Sequence, residues 1–383
     1  MNLLLFFTRG VSLELWEKQG LFDREKLIYE EHLKKKNFKK IFWLTYGHKD
    51  LSLSKKLKKA KRLHKSIHII EMPKLFSFPK IGSYVYSLIV PFLYPKIFKN
   101  IDLIKTNQID GAWSAVILKW VYKIPLAART GYCISQLCCS QNPSSIKCKW
   151  FKLIEKFVYK YSDVNIVTSK HSLNYLANSH KLNKKNLKIL YNYISNNFFQ
   201  KKIILTKNTN KILFVGRLDP EKNLFNLIKA IAGSNITLDI YGQGKKIKNK
   251  LIEFSIKHKS QVNFLGTLPN KFLPNIYKNY LYYILPSNHE GMPKTLLEAM
   301  ASGCLCIGTD VPGINEIIEH NVNGILSKST SSKDISKAIK LAMKIKEKEI
   351  LIKRGISKIK HNFSLTQITN KEFLILKDLV DGK

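Results

Sequence analysis

The chain has 383 residues, which is long enough for two domains that each bury a core of their own. Its 65 lysine and arginine residues outnumber 27 acidic residues and give a net charge of +38. Such a charge indicates an acidic partner: a nucleic acid, an anionic membrane or a phosphorylated substrate. No apolar run approaches the roughly 20 residues that a membrane-spanning helix needs, which argues against an integral membrane protein.

The six cysteines indicate no metal site, because no pair has Cys-x-x-Cys spacing and no histidine stands beside them at metal-ligand spacing. A reduced, cytoplasmic protein without structural zinc is therefore expected. The apolar residues 1–7 lack the features of a signal peptide and are interpreted as the first core strand.

The first half of the chain alternates short apolar runs with helical patterns, which predicts a parallel sheet covered by helices. The predicted strands are residues 3–7, 40–46, 67–70, 103–106, 126–128 and 164–168. Gly10 follows the first strand, where a backbone without a side chain can approach a ligand closely. Polar residues after the fourth and fifth strands should reach the crevice at the strand ends. The candidates for this crevice are Thr106, Asn107, Gln108, Arg129 and Tyr132.

Residues 82–95 form an uncharged stretch between Lys80 and Lys96. A buried core helix is the favoured interpretation. The alternative is a helix that lies at a lipid surface, assisted by the basic residues in 55–65 and 147–160.

The second half begins after a polar linker, and the sequence places the domain boundary near Asn208. The string KILFVGRLDPEKN, residues 211–223, predicts a strand that ends at Gly216, a turn and the start of a helix. Arg217 and Lys222 stand at the mouth of this unit, where a guanidinium and an ammonium can neutralise a diphosphate. Two further predicted strands end in glycines: the first runs into Gly242 and Gly244, and the second ends just before Thr267 and Leu268.

Residues 281–326 read as strand, loop, helix, strand and turn. The helix is predicted to start at Pro293, whose fixed φ is already helical, and to end at Gly303. Its exposed amides should face the crevice at the strand ends and favour phosphate. Glu290 precedes the helix, and periodicity places Glu298 on its exposed face.

The string PS..EG.P...LEAMA.G at residues 286–303, followed by a small-residue turn and Gly324, resembles the signature of the retaining family 4 glycosyltransferases, the glycosyl transferases group 1. GR...EKN at residues 216–223 is a second match. The resemblance implies an α/β protein of GT-B architecture: two Rossmann-like doubly wound domains that face each other across a cleft, with a C-terminal helix crossing back. The expected divisions are 1–207 for the acceptor, 208–360 for the nucleotide sugar and 361–383 for the last helix. The resemblance therefore makes the crevice candidates of the first half, from Thr106 to Tyr132, candidates for the acceptor side of the site.

The resemblance also implies roles for individual residues. Glu290, Arg217 and Lys222 are the expected catalytic residues. The resemblance further implies that Glu298 accepts hydrogen bonds from ribose hydroxyls. It also implies that the amides of Gly291 and Met292 join Glu290 in holding the transferred sugar. The full set expected to bind the donor is Gly10, Gly216, Arg217, Lys222, Gly242, Gly244, Thr267, Leu268, Glu290, Gly291, Met292, Pro293, Thr295, Leu296 and Glu298.

The implied activity is transfer of a sugar, with retention of its anomeric configuration, from a nucleotide diphosphate to a glycan or lipid-linked acceptor. No metal or other cofactor is expected. Cell-surface polysaccharide assembly, such as lipopolysaccharide or capsule, is the expected setting, in the cytoplasm at the inner face of the membrane with peripheral contact to anionic lipid. The alternatives are an epimerase or phosphorylase on the same fold, and a basic nucleic-acid-binding protein, for which no recognisable reading motif is present.

Overall fold

The computed structural model describes residues 1–79, 81–131, 133–135, 138, 144–199 and 209–382, with the backbone alone at 245–246. The chain divides into two compact units, Met1–Tyr191 with Ile368–Lys383, and Asn192–Gln367. Each unit is built on its own parallel sheet with helices between the strands.

The first unit has a seven-stranded parallel sheet in the order β3-β2-β1-β4-β5-β6-β7. All six strands predicted for this half are confirmed, and β7 is an additional short strand that breaks the apolar pattern with an exposed lysine. The strands are β1 Asn2–Phe6, β2 Lys40–Leu44, β3 Ile67–Ile70, β4 Leu103–Thr106, β5 Leu126–Arg129, β6 Val164–Val167 and β7 Leu187–Ile189.

Helices of the first unit follow the apolar periodicity, with one side in the core and the other toward solvent. They are α1 Leu13–Lys18, α2 Phe22–Glu25, α3 Leu27–Lys34, α4 Asp50–Lys59, α5 Gly82–Leu93, α6 Pro95–Phe98, α7 Trp113–Tyr122, α8 Ile146–Tyr161 and α9 Lys170–Ser179. In helix α5, Tyr86 and Val90 are fully buried, as the favoured interpretation of residues 82–95 requires, whereas Leu88 and Phe92 on its other side are exposed.

The second unit has a six-stranded parallel sheet in the order β10-β9-β8-β11-β12-β13. Its strands are β8 Lys211–Val215, β9 Thr237–Tyr241, β10 Gln261–Phe264, β11 Tyr282–Leu285, β12 Leu305–Thr309 and β13 Ile325–Ser327. Its helices are α10 Leu224–Ala230, α11 Lys245–Lys257, α12 Leu273–Tyr277, α13 Lys294–Ala301, α14 Ser332–Lys344 and α15 Lys348–Phe363. The four residues of β11 are all buried, as expected for a central strand with helices on both faces.

Both sheets have a point where the strand order reverses. In the first unit it lies between β1 and β4, and in the second between β8 and β11. Open α/β sheets bind ligands in the crevice at the carboxyl ends of the strands at such a point. The loops that follow these four strands are therefore the places to look for function.

The division between the units lies at Tyr191 and Asn192, whereas the sequence placed it near Asn208. The difference arises because Ile194 pairs with Ser364 in an isolated bridge, and Phe198 is buried 6.1 Å from the Tyr277 ring. These contacts are distant in sequence and hold the segment after Tyr191 in the second unit.

The last helix, α16, spans Leu365–Val380, and the chain from Ile368 onward belongs to the first unit. The return of the C-terminal helix to the first unit is thus confirmed. Glu372 anchors it: one carboxylate oxygen lies 2.9 Å from His32 Nε2 and the other 2.5 Å from Lys105 Nζ. All three side chains are buried.

Four cysteines, Cys133, Cys138, Cys304 and Cys306, are free thiols, whereas Cys148 is disulfide-bonded, so the expectation of a fully reduced chain is wrong at Cys148. Within the described ranges, no helix has both the length and the apolar character needed to cross a membrane. The same residues contain no cluster of three or more histidine, cysteine or acidic side chains suited to a metal ion.

Candidate functional site

The loops after β8 and β11 meet at the reversal point of the second sheet. Lys222 lies in a 3-10 turn, Pro220–Lys222, and its Nζ is 2.6 Å from Glu290 Oε1. The Ser287 hydroxyl donates to the same oxygen at 2.7 Å. Both members of the ion pair are mostly buried. The structure therefore brings together a cation and a carboxylate that the sequence predicted from two separate motifs.

Backbone and amide hydrogen bonds hold these two loops in register. The Asn288 amide donates to the carbonyl of Glu221 at 2.8 Å. The Asn223 side chain donates to the carbonyls of Pro286 at 3.0 Å and Thr330 at 2.8 Å. Asn223 has φ +56°, a left-handed conformation that asparagine tolerates better than most residues. The sequence motif included Asn223 without assigning it this bracing role.

Arg217 extends from the same loop toward solvent. Its side chain is 79% exposed, and its nearest carboxylate contact is Asp219 at 3.6 Å. An exposed guanidinium keeps its planar set of donors accessible to a phosphate ligand. Arg217 thus lies at the same reversal point as the Lys222–Glu290 pair, but it is not packed into it.

Close backbone packing explains Gly242 and Gly244, whereas a Cβ added to Gly216 would meet the Phe214 ring at 3.0 Å. A Cβ added to Gly242 would lie 1.8 Å from the Gly216 carbonyl oxygen, and one added to Gly244 would lie 2.1 Å from the Leu218 carbonyl oxygen. The Leu218 amide also donates to the Gln243 carbonyl at 2.9 Å. The two glycines therefore let the loop after β9 press against the loop that carries Arg217.

Thr267 and Leu268 follow β10, the outermost strand on this side of the sheet, and both are exposed. They share the carboxyl edge of the sheet with Arg217, because all six strands are parallel. In the strand order, two strand positions separate them from the loop after β8.

Helix α13 starts at Lys294, with Pro293 in the cap position before it, so the predicted start was one residue early. Pro293 has ψ 106°, which is extended rather than helical. Gly303 has φ +77° and ends the helix in the left-handed conformation, as predicted.

Gly313 shapes the loop before this helix. It has φ +83°, and an added Cβ would lie 2.6 Å from the Glu290 carbonyl oxygen and 2.4 Å from that of Gly291. The Met292 side chain is buried, and its carbonyl accepts from Asn192 Nδ2 at 3.1 Å. The backbone from 290 to 292 is thereby held close to the turn after β12.

Glu298 was predicted to be exposed, and this prediction is wrong: the residue is 2% exposed. The Tyr277 hydroxyl donates to Oε2 at 3.2 Å and Asn270 Nδ2 to Oε1 at 3.4 Å. The turn Asn270–Phe272 and helix α12 supply these covering residues, which periodicity within α13 alone cannot reveal. Burial, followed by the nearby Glu298 carboxylate, raises the pKa of Tyr277 well above its usual value.

Two other positions on α13 have different surroundings. Thr295 Oγ1 accepts a hydrogen bond from the Tyr283 hydroxyl at 2.9 Å. Leu296 is fully buried in the core, so its side chain is unavailable to a ligand and only its backbone amide can have a binding role.

In the first unit, the acceptor-side candidates gather at the reversal point between β1 and β4. Thr106 Oγ1 accepts from the Arg129 amide at 3.0 Å, and Gln108 Oε1 accepts from the Gly131 amide at 3.0 Å. The backbone amide of Asn107 donates to the Phe6 carbonyl at 2.8 Å. The Thr106 and Gln108 side chains brace the loop after β5. Gly10 lies after β1 with φ +76°, and Tyr132 lies outside the described residues.

Arg9 and Asp110, which no sequence motif pointed to, form an ion pair beside Gly10. Arg9 Nη2 is 2.9 Å and Nε 3.0 Å from the two Asp110 oxygens, and the guanidinium lies 3.7 Å from the Tyr84 ring centroid. Burial raises the pKa of Asp110, although Arg9 opposes the shift. The sequence feature that could have identified them is their position, because each lies three or four residues after the end of a strand.

Residues 195–357, most of the second unit, match the family model described as Glycosyl transferases group 1. The resemblance to this group that was noted in the sequence is thus confirmed. The match includes the Lys222–Glu290 pair, Arg217 and helix α13.

Among curated proteins, the chain is 40% identical over 121 residues to the GtfA subunit of a UDP-N-acetylglucosamine–peptide N-acetylglucosaminyltransferase of Streptococcus agalactiae, covering 30% of this chain and 24% of that protein. It is 27% identical over 188 residues to the UDP-Gal:alpha-D-GlcNAc-diphosphoundecaprenol alpha-1,3-galactosyltransferase of Escherichia coli, covering 47% of this chain and 48% of that protein. The chain spans about a quarter of the length of the first of these relatives and about half of the length of the second.

Among solved structures, the chain is similar to Anabaena Alr3699/HepE in complex with UDP and glucose, with a TM-score of 0.74 and 16% identity. The likeness covers 98% of this chain and 99% of that chain. It extends over both units, and the predicted GT-B fold with two Rossmann-like domains is confirmed.

Proposed function

We propose that this protein is a glycosyltransferase that moves a sugar from a nucleotide-diphosphate donor to an acceptor hydroxyl with retention of configuration. The observation that carries the proposal is the Lys222–Glu290 pair at the reversal point of the second sheet, in a segment that matches the family model of the glycosyl transferases group 1. In this account the second unit binds the donor and the first unit binds the acceptor.

The donor's diphosphate would be held by positive groups around the end of β8. Arg217 presents an exposed guanidinium, and Lys222 presents an ammonium fixed by Glu290. The start of α13, next to Glu290 in the chain, adds backbone amides and the positive end of the helix dipole. As the glycosidic bond to the diphosphate breaks, negative charge grows on the leaving group, and donors already in place stabilise it.

Glu290 would orient the transferred sugar. Its Oε1 accepts from Lys222 and Ser287. A carboxylate has about four lone-pair sites, so these two bonds leave acceptor capacity for sugar hydroxyls. The amides of Gly291 and Met292 would join it, and the buried Glu298, held by Tyr277, would accept from the ribose.

The stereochemistry, the independence from metal, the acceptor and the location belong to the same proposal. Retention, activity without a metal ion or other cofactor, and a glycan or lipid-linked acceptor follow from the resemblance in the motifs. Action on a diphosphoundecaprenol-linked sugar by the similar Escherichia coli galactosyltransferase supports a lipid-linked acceptor. We place the protein in the cytoplasm at the inner face of the membrane, in assembly of a surface polysaccharide such as lipopolysaccharide or capsule.

The test is release of a nucleoside diphosphate from a panel of nucleotide sugars, with and without a lipid and glycan extract as acceptor. We expect release from one donor to rise only when the extract is added, and to persist in the presence of a chelator. Conversion of the nucleotide sugar without an acceptor would indicate an epimerase, and dependence on inorganic phosphate would indicate a phosphorylase. Loss of activity in chelator would overturn metal independence alone.

A further inference from the structure

Helices α5, α7 and α8 of the first unit are neighbours whose outer sides expose many large apolar side chains. Helix α5 contacts α7 where the Trp113 indole donates to Ser87 Oγ at 3.0 Å. Helix α7 contacts α8 where the Trp120 ring lies 5.1 Å from Tyr161 and 5.9 Å from Phe157. We call the outer side of these three helices the lysine-apolar face.

The apolar side chains of this face are too exposed for an ordinary monomer surface. Phe92 on α5 is 60% exposed, Trp120 on α7 is 49% exposed, and Leu153 on α8 is 64% exposed. Trp150 on α8 and Leu88 on α5 are exposed to a similar extent. Clusters of this kind mark an interaction surface, and tryptophan favours the boundary between water and lipid.

The exposed charges on α8 are all positive. At 100° per residue, Lys149, Lys152, Lys156 and Lys160 fall within an arc of about 80° next to the apolar positions. All four lysines are exposed. The single acidic residue of this helix, Glu155, is fully buried, where it accepts from the Ser135 amide at 3.0 Å. The outward side of α8 is therefore basic and apolar without a carboxylate.

The excess of positive charge extends beyond α8 to the neighbouring sequence. From residue 72 to residue 162 the sequence contains twelve lysines, one arginine and three acidic residues. Two of these acids are Glu155, which is buried, and Asp110, which pairs with Arg9. A single small anion or a protein partner with scattered charges does not match such a surface, whereas a continuous sheet of negative charge above an apolar layer does.

We propose that the lysine-apolar face binds the surface of an anionic lipid bilayer, with Trp150, Leu153 and Phe92 in the outer acyl layer and the α8 lysines at the phosphate level. A helix with adjacent basic and apolar stripes is suited to lie in the plane of the interface, where apolar burial and attraction to anionic lipid add together. The inference deepens the proposed location at the membrane. It does not rely on transferase chemistry, because binding to lipid needs neither donor nor acceptor.

The test is flotation of the full-length protein with vesicles of phosphatidylcholine alone and of equimolar phosphatidylcholine and phosphatidylglycerol. We expect binding only to the second vesicle, weakened by added salt. Changing Lys149, Lys152 and Lys156 together to glutamine should lower the partition coefficient roughly 100-fold. The matched control changes Lys333, Lys340 and Lys344 on α14 to glutamine, which alters the net charge equally and should leave binding unchanged.

A second variant, Trp150→Ser with Leu153→Ser, should lower binding at least tenfold without a change in net charge. Because all these side chains are exposed, each variant should keep the melting temperature of the wild type. Equal losses in the α8 and α14 variants, equal binding to both vesicles, or binding of single-stranded RNA in place of vesicles would overturn the proposal. The melting temperature of the α8 variants with a nucleotide sugar separates the two proposals. If it still rises while vesicle binding is lost, the variants have lost lipid binding and kept nucleotide-sugar binding.

Discussion

Lys222 is the side chain through which the ion pair acts on the proposed leaving group. An ammonium has three N–H donors, so the bond of 2.6 Å to Glu290 leaves two donors for phosphate oxygens. The pair also fixes the position of the charge before the donor binds. Electrostatic catalysis is most effective when the stabilising charge does not have to move during the reaction.

We expect Lys222→Ala to lower kcat/KM by roughly 10²–10³-fold, because removal of one fixed donor at a developing charge typically costs this much. Steady-state kinetics with the identified donor would measure it. Lys229→Ala, at an exposed lysine on α10, is the matched control and should retain full activity. An unchanged kcat/KM in the Lys222 variant would remove this residue from the leaving-group site.

For single residues, the sequence predicted which side chains lie at the site better than it predicted their burial and their contacts. The two motifs pointed to Lys222 and Glu290, and the structure places them in contact. The burial of Glu298 was missed because it depends on Tyr277, which belongs to another helix. Helical periodicity states which residues share a side of one helix, but not what packs on that side.

Among the elements, the loops after β8 and β9 act as one packed unit. Gly242 is central to this packing, because the Gly216 carbonyl oxygen occupies the space that a Cβ would need, at 1.8 Å. Because the contact is between two backbone segments, neither can move aside as a flexible side chain could. A side chain at Gly242 must displace the loop that carries Arg217.

Gly242→Ala should therefore weaken donor binding and lower the free energy of unfolding by roughly 1–3 kcal/mol, the usual cost of overpacking. Urea unfolding and a donor titration would measure the two effects. Gly355→Ala is the control, since its added Cβ would lie 3.1 Å from the Met300 methyl group and 3.3 Å from the Asn323 carbonyl oxygen, both much less close than the contact at Gly242. Equal donor affinity in Gly242→Ala and the wild type would contradict the role assigned to this loop.

Elements with strong local signals were predicted well. The run of Tyr282–Leu285, the glycine stop at Gly303 and the six strands of the first half all appear in the structure. The start of α13 was misplaced by one residue because Pro293 is compatible with both the cap and the first helical position. Strand β7 was missed because three residues around Lys188 give no clear alternation.

For the molecule as a whole, the return of the C-terminal helix depends on a buried cluster of charges. Glu372 contacts His32 and Lys105, residues from α3 and β4. Burial alone would raise the pKa of Glu372, but the Lys105 and His32 contacts outweigh it and hold the pKa below its usual value. Burial lowers the pKa of Lys105, although the Glu372 charge opposes this.

A carboxylate whose pKa is lowered on folding stabilises the protein above its unfolded pKa of about 4.3, and this contribution is lost as the pH falls through the folded value. Glu372→Gln should lower the free energy of unfolding at pH 7 by about 3–5 kcal/mol, because it leaves a buried ammonium without its counter-charge. The difference from the wild type should shrink as the pH falls below about 4.

Urea unfolding at neutral and acidic pH would measure this pattern, with Asp378→Asn as the control at an exposed carboxylate on the same helix. An equally large difference between wild type and Glu372→Gln at both pH values would contradict the electrostatic account. The cluster could not be predicted from sequence, because Glu372 lies 340 residues from His32 and no local pattern links them.

In the proposed function, the second unit holds a nucleotide sugar at the ends of β8 and β11. The most direct measurement is the melting temperature of the wild type, Arg217→Ala and Glu298→Ala with a panel of nucleotide sugars. One donor at 100 times its Kd should stabilise the wild type by about 2.7 kcal/mol, a rise of roughly 5–10 °C. The rise should be much smaller in Arg217→Ala, whose exposed side chain makes a stability effect of its own negligible. Glu298→Ala should also blunt it. No rise with any nucleotide sugar, or an equal rise in wild type and Arg217→Ala, would contradict nucleotide-sugar binding at this site.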